Sequence, residues 1–241
     1  MKVTAINGST HGDKGNTALI LTPFLEGVER AGADVEVFYT NKLDIKPCLG
    51  DHVCWFKTPG KCIHHDDMED LLGKLCSADT WVLATPLYVD GMSGPLKNLV
   101  DRMIPLGQPV IELRDDHCRH PARDNHQPSK LVLVSNCGFW EMDNFDPLVS
   151  HVQALCKNLS LEFAGALLRP HGHVLKILQD LGAPVEDIFD AARTAGEKLI
   201  TEGVIPADIQ TIISRPLLPR QEFVDRANQF INQALSRITE K

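Results

Sequence analysis

Five short apolar runs mark the chain between residues 2 and 169, each bounded by turn-forming residues and rich in β-branched or aromatic side chains. KVTAIN (2–7), ADVEVFYT (33–40), DTWVLATP (79–86), KLVLVSN (130–136) and LEFAGALLR (161–169) predict strands. Helical spacing predicts helices near 16–31, 66–76, 93–104, 145–158 and 184–202. Near-continuous apolar strands separated by helices predict an α/β fold, with a parallel sheet covered on both faces. Pro23 falls inside the first helix, where it removes a hydrogen bond; the alternative starts the helix at Thr22 with Pro23 at its first position and leaves 16–21 as a loop, and the longer, kinked helix is the expectation kept. Residues 206–219 are Pro-rich and predict an extended connector. From Arg220 to Ile238 the residues Phe223, Ala227, Phe230, Ile231, Ala234 and Leu235 recur at helical spacing. That stripe fits a docking or dimerising arm, and equally a helix packed on its own domain. The expected division is a domain over 1–205 and a connector with helical arm over 206–241.

Composition narrows the function classes. The formal net charge of −8 argues against nucleic acid or an anionic membrane as main partner. No apolar run approaches the length of a membrane span. The start, MKVTAINGST, enters a strand at once without a basic or apolar leader, which predicts a cytoplasmic protein. Seven cysteines is an odd number, and in a reducing compartment disulfides are rare.

Ligands of open parallel sheets bind beyond the carboxyl ends of the strands, where strand order reverses. Three loops at that edge are chemically unusual. NGSTHGDKGNT (7–17) supplies hydroxyls, an amide and three glycines just before a helix, so convergent N–H groups and the helix dipole favour a phosphate. TPLYVDGMSG (85–94) presents Tyr88, and SNCGFWE (135–141) adds polar backbone and aromatics. Each alone reads equally well as a plain turn. Together they suit a phosphorylated aromatic cofactor.

GSTHGDKGNT, PCLGDHVCWFKTPGKCIHHDDM, ATPLYVDGMSGPLKNLVDR and SNCGFWE, in that order over roughly residues 1–200, resemble the flavodoxin-like NAD(P)H-dependent FMN reductases, in particular the iron–sulfur flavoproteins. The resemblance implies a flavodoxin-like five-stranded parallel sheet of order 2-1-3-4-5 with FMN at the switch point. It implies that Ser9, Thr10, Asn16 and Thr17 hold the phosphate, with Lys14 compensating for His11 where the family commonly has Arg. Pro86, Leu87, Tyr88 and Gly91 would line one edge of the flavin ring, and Asn136, Cys137, Gly138 and Phe139 the other. The implied activity is passage of electrons from NAD(P)H as co-substrate through FMN to a small acceptor such as a flavin or quinone. The alternative is a non-catalytic flavin or iron–sulfur electron-transfer protein. No catalytic side chain is implied. A homodimer or homotetramer is.

The stretch CLGDHVCWFKTPGKC (48–62) has Cys48, Cys54 and Cys62 where the iron–sulfur flavoproteins have cluster ligands, but Asp51 stands in the place of a fourth cysteine. A carboxylate is a harder ligand than a thiolate, which counts against a [4Fe–4S] cluster. A metal-free loop near the flavin, shielded by Trp55 and Phe56, is the expectation. LRDDHCRHPARDNHQP (113–128) collects His117, Cys118, His120 and His126 at no zinc spacing and reads as a polar insertion able to cover a flavin of its own chain or a partner's. HHDDM (64–68) predicts a helix start capped by Asp66 or Asp67. KNLVDR (97–102) predicts helix surface with a Lys97–Asp101 pair.

Overall fold

In the computed structural model, which describes residues 1–123 and 130–239, β1 (Lys2–Asn7) is flanked by β2 (Asp34–Tyr39) and β3 (Thr80–Pro86). A short hairpin, β4 (Glu112–Arg114) and β5 (His117–Arg119), stands apart. The sheet continues through β6 (Lys130–Asn136) to β7 (Glu162–Arg169), in the order β2-β1-β3-β6-β7. Every pairing in it is parallel, and Ala5 sits between Val37 and Val82. Counting these strands alone, this is the expected flavodoxin-like order, with the reversal at β1 and β3.

Because side chains alternate across a strand, β3 sends Val82 and Ala84 to one face and Trp81 and Leu83 to the other. All four are buried. The first face is covered by α1 (Ala18–Arg30), α6 (Gly172–Asp180), α7 (Glu186–Glu202) and α8 (Ala207–Ser214). The second is covered by α3 (Met68–Ser77), α4 (Gly94–Asp101) and α5 (Asp146–Leu159). A single turn, α2 (Val53–Phe56), lies in the cysteine-bearing loop. α1 runs through Pro23, as the pattern of buried positions Ile20, Leu21, Phe24 and Val28 requires. Against it α7 packs so closely that a Cβ on Gly196 would lie 2.1 Å from the Phe24 carbonyl oxygen. A Cβ on Gly27 would lie 1.9 Å from that of Arg193.

The expectation for 206–219 is corrected. Pro206, in extended backbone, is the N-cap of α8, outside the helix where its missing N–H breaks no helical hydrogen bond, and Ile209 and Ile213 are buried one turn apart. Gln210 both accepts from the Leu168 amide at 2.9 Å and donates to its carbonyl at 3.0 Å. A side-chain amide thus covers the exposed edge of β7, where an unpaired strand invites foreign pairing. The turn α2 and the helix α6 were not legible in the pattern either.

Beyond Pro219, α9 (Arg220–Thr239) forms as expected. Its root is fastened by an Arg220–Glu141 ion pair and by Phe223 beside His171 and His173. Further along, Phe230 is 73% and Leu235 56% exposed, so the outer stripe is not packed on its own domain. Among the described residues, no helix is long and apolar enough to cross a membrane.

Candidate flavin site and thiol pocket

The three loops are held together by buried polar side chains. Ser93, at the start of α4, donates to the Gly8 carbonyl at 2.6 Å, tying the second loop to the first. Thr17 donates to Asn136 Oδ1 at 2.7 Å, tying the first to the third. The Leu87 amide donates to the Asn136 carbonyl at 2.8 Å. Ser135 and Ser93 both bond to Thr85, whose hydroxyl accepts from the Ser93 amide. None of Thr85, Ser93 and Ser135 stood out in the sequence, since a hydroxyl within or after an apolar strand reads as turn chemistry.

Within the first loop, Asn7 braces the turn by accepting from the Ser9 amide and donating to the Gly12 carbonyl. Ser9 is buried, and its hydroxyl accepts from the His11 amide at 3.3 Å. Gly15 is required beside it, because a Cβ there would lie 2.4 Å from Ser9 Oγ. The amides of Thr10, Asn16 and Thr17 find no acceptor among the described residues. Unsatisfied N–H groups just ahead of a 13-residue helix are what an anion would fill. Thr10, His11 and Lys14 are exposed and Asn16 is half-buried. Thr17 is buried with its hydroxyl turned to Asn136, which leaves its amide as the group it can offer a ligand.

In the second loop Pro86 is buried, Leu87 and Gly91 are half-buried, and Tyr88 is 48% exposed. Tyr88 and Gly91 exchange backbone hydrogen bonds around Val89 and Asp90, both at positive φ. In the third, Asn136 and Cys137 are buried, whereas Gly138 and Phe139 are exposed. Burial pushes the Cys137 thiol pKa up, and its Sγ donates to the Phe139 carbonyl. Beside this loop lies a recess of about 480 Å³ lined in part by Trp140, Met142, His171 and Arg215. His171 Nε2 faces two donors, the Arg169 guanidinium at 2.9 Å and the Leu217 amide at 3.2 Å. That arrangement places its proton on Nδ1. Burial, with the Arg169 charge, pushes its pKa down to about 3, so the ring stays neutral.

The cysteines fall elsewhere. Cys48, Asp51, Cys54 and Cys62 line one pocket together with Asp101, Arg102 and Ile104. Cys48 is exposed, Cys54 buried and Cys62 half-buried. This pocket adjoins the C-terminal end of α4, while the loop after β3 adjoins its N-terminal end. Eight residues at ~1.5 Å each put the two about 12 Å apart along the helix. Trp55 covers the loop, donating to the Ile104 carbonyl and meeting the His120 ring at a tilt, with centroids 4.6 Å apart. Phe56 does not act as the expected shield. It is 72% exposed, although its ring meets Trp55 edge-on at 6.4 Å. Among the described residues, no three His, Cys, Asp or Glu side chains converge to hold a single metal ion.

Anchoring this loop is a pair the sequence did not reveal. Asp66 and Arg102 are 0% and 1% exposed at the side chain, joined by two hydrogen bonds of 2.8 and 3.0 Å. Arg102 also donates to the Lys46 carbonyl. Burial alone would raise the Asp66 pKa, but hydrogen bonds from Arg102 and from the Lys46 and Met68 amides, with the Arg102 charge, bring it down to about 2. Asp66 thus caps α3 through Met68, as expected of Asp66 or Asp67, while also serving a buried ion pair. Arg102 follows directly on KNLVD, whose Lys97–Asp101 pair is on the surface as predicted. Nothing in the spacing separates the two arrangements.

The described part of the insertion lies far from the three loops of its own chain. Arg114 donates to the Lys157 carbonyl and Ser160 hydroxyl, and Arg119 to the Asn158 side chain, at the end of α5 remote from the third loop. Two cations at a helix C-terminus suit its dipole. That part of the insertion is thus fastened to the C-terminal end of α5. His126 lies outside the described residues.

Residues 1–115 match the model of the NADPH-dependent FMN reductase family. Over those residues the chain is similar to that family. It is 37% identical over 106 residues to an iron–sulfur flavoprotein of Methanocaldococcus jannaschii, covering 44% of this chain and 53% of the relative. An iron–sulfur flavoprotein of Archaeoglobus fulgidus is 37% identical over 102 residues, 42% of this chain and 48% of its own. The chain thus spans about half the length of the curated relatives it matches. Among solved structures, an FMN-dependent NADH-azoreductase from Bacillus anthracis, in complex with FMN, superposes with a TM-score of 0.60 at 14% identity, covering 83% of this chain and 99% of that one. An NAD(P)H:quinone oxidoreductase from Methanothermobacter marburgensis gives 0.57 at 14%, covering 83% and 96%. At such identities these last two establish the fold.

Proposed function

We propose that the protein binds FMN at the three loops and is an oxidoreductase that takes electrons from NADH or NADPH and passes them to a small acceptor such as a free flavin or quinone. The observation that carries this reading is the first loop, whose Thr10, Asn16 and Thr17 amides lack protein acceptors immediately before α1. A phosphate satisfies all three at once and gains from the helix dipole. The loops after β3 and β6 would flank the ring, with Tyr88 and Phe139 exposed beside it. When bound, FMN supplies the hydride chemistry. The protein's part is to orient the ring, offer N–H groups where negative charge develops, and exclude water. Ser93, Thr17 and Asn136 keep the loops in register and are positioning residues. The recess beside Trp140 has the volume of a small-molecule site and would admit the acceptor.

A second reading, an electron carrier without its own hydride chemistry, is favoured by the pocket that gathers Cys48, Cys54 and Cys62. Anaerobic titration separates the two. The purified protein is expected to be yellow, to release FMN on denaturation, and to bleach rapidly with NADH or NADPH. Bleaching only with dithionite or a reduced protein donor would establish the carrier. A colourless protein that takes up no added FMN would overturn both.

We also propose self-association through α9, whose exposed stripe of Phe230, Ile231 and Leu235 is continuous with a root beside the third loop.

A further inference from the structure

The recess beside the third loop ends on a side chain whose hydrogen bonding is incomplete. His171 lines it and is 0% exposed, and its Nδ1, the nitrogen that carries the proton, is buried without an acceptor among the described residues. A buried N–H with no acceptor is costly. The residue is held where it is. Its backbone is left-handed at φ 40°, a conformation that a residue other than glycine keeps only when its surroundings impose it. Its amide donates to the Phe139 carbonyl at 2.7 Å, and the Gly172 amide donates to that of Cys137 at 2.9 Å. His171 is thus joined directly to the loop that would flank the flavin ring.

A second, independent observation lies behind the imidazole. Arg169 is 0% exposed, and its guanidinium donates to the carbonyl oxygens of Pro170, Ile213 and Arg215 and to His171 Nε2. None of these partners is an anion. Burial, with the Arg215 charge, lowers the Arg169 pKa only to about 10, so the group is cationic at neutral pH. The acids nearby are engaged or in water. Asp187 is bound twice by Arg215, Glu141 pairs with Arg220, and Asp143 is exposed. A buried charge without a counter-ion is strongly unfavourable. Because Arg169 donates to Nε2, it also polarises the ring and strengthens the Nδ1 proton as a donor. An anion accepting from Nδ1 satisfies both groups at once.

The walls narrow the ligand further. Trp140 lies nearly parallel to the imidazole, at 11°, and Met142 and Pro216 add apolar surface. The hydroxyls of Thr211 and Ser214 are already donated to carbonyls of their own helix. One polarised N–H beside a flat apolar wall suits a singly charged planar group better than a phosphate, which asks for several donors.

We propose that the recess selects an aromatic carboxylate, whose oxygen accepts from His171 Nδ1–H in front of the buried Arg169 charge and whose ring lies beside Trp140. The proposal deepens the reading of this recess as the acceptor's site by naming the class of molecule it takes. His171 is then the specificity-determining residue, and Arg169 acts through it.

The purified full chain, with its flavin, is titrated calorimetrically with benzoate and with benzamide, its neutral isostere. Benzoate is expected to bind about tenfold or more tightly, the margin of a charge-assisted hydrogen bond. It should also quench tryptophan fluorescence, and the quenching should vanish in Trp140→Phe. His171→Asn keeps an N–H donor near the place of Nδ1 and tolerates the left-handed backbone, so it should retain most of the preference. His171→Leu should abolish it. Flavin content and circular dichroism report whether each variant folds, and if His171→Leu does not, the unaltered chain and Trp140→Phe decide. Equal affinities for the two ligands, no binding of either, quenching that persists in Trp140→Phe, or a preference that survives in His171→Leu would each overturn the proposal. A protein that bleaches with NADH or NADPH yet does not prefer benzoate overturns this proposal and spares the functional reading. One that prefers benzoate but takes up no FMN does the reverse.

Discussion

Replacing Asp66 by Asn tests how the cysteine-bearing loop is attached to the sheet. The carboxylate is fully buried against Arg102, so the variant keeps the shape but leaves a guanidinium in the interior without a counter-ion. Two estimates bracket the loss. The drop of the Asp66 pKa from its ordinary 3.8 to about 2 corresponds to about 2.4 kcal/mol at neutral pH. Breaking a buried pair by removing one partner typically costs about 3–5 kcal/mol, because the remaining charge stays desolvated. A loss of about 2–4 kcal/mol is expected, a large share of the ~5–15 kcal/mol of a whole domain. The sign follows from the direction of the shift. A depressed carboxylate contributes fully above its unfolded pKa of 3.8 and loses that contribution as pH falls towards about 2. Urea unfolding of both proteins at pH 7, 5, 4 and 3 is the assay, and the gap between them should narrow only below about pH 4. A difference under about 1 kcal/mol at pH 7, or one unchanged at pH 3, would refute the reasoning. Replacing both partners with apolar residues of similar shape should recover much of the loss.

Gly196→Ala puts a methyl 2.1 Å from the Phe24 carbonyl and must force α1 and α7 apart, so thermal unfolding should show a loss of about 1–3 kcal/mol or more. Gly15→Ala drives a Cβ into Ser9 Oγ at 2.4 Å, and equilibrium dialysis should find FMN binding weakened by about tenfold or more at little change in fold. Val89 is fully exposed at φ 48°, a conformation that β-branched residues avoid, so Val89→Gly should raise stability by up to about 1 kcal/mol in urea. Deleting residues after Pro219 should weaken self-association in sedimentation without loss of solubility, and an unchanged sedimentation profile would remove α9 from the interface.

Much of the architecture was legible because it depends on periodicity. Parallel strands buried on both faces need unbroken apolar runs, and KVTAIN, DTWVLATP and KLVLVSN supply them at the spacing that helical crossovers demand. The run of α1 through Pro23 was readable only against a rival start at Thr22, which the helical, buried Ile20 and Leu21 exclude. The glycine and hydroxyl content of residues 7–17 marked the loop whose unpaired amides now carry the functional reading.

What the pattern could not convey depends on distance in space. A polar residue in a sequence carries no sign of whether its partner is water or a buried group tens of residues away. Arg102 reads as helix surface beside Lys97 and Asp101, yet only the fold brings Asp66 against it from 36 residues upstream. Residues 206–219 read as a connector from their prolines, but burying Ile209 and Ile213 and covering the β7 edge with Gln210 outweighs that local signal. The cysteines were visible as a group, whereas their place at the far end of α4 from the flavin loops was not. Local chemistry is written in the order of residues, and the partner of a desolvated charge is settled by tertiary packing, because the cost of leaving it unpaired exists only once water has been excluded.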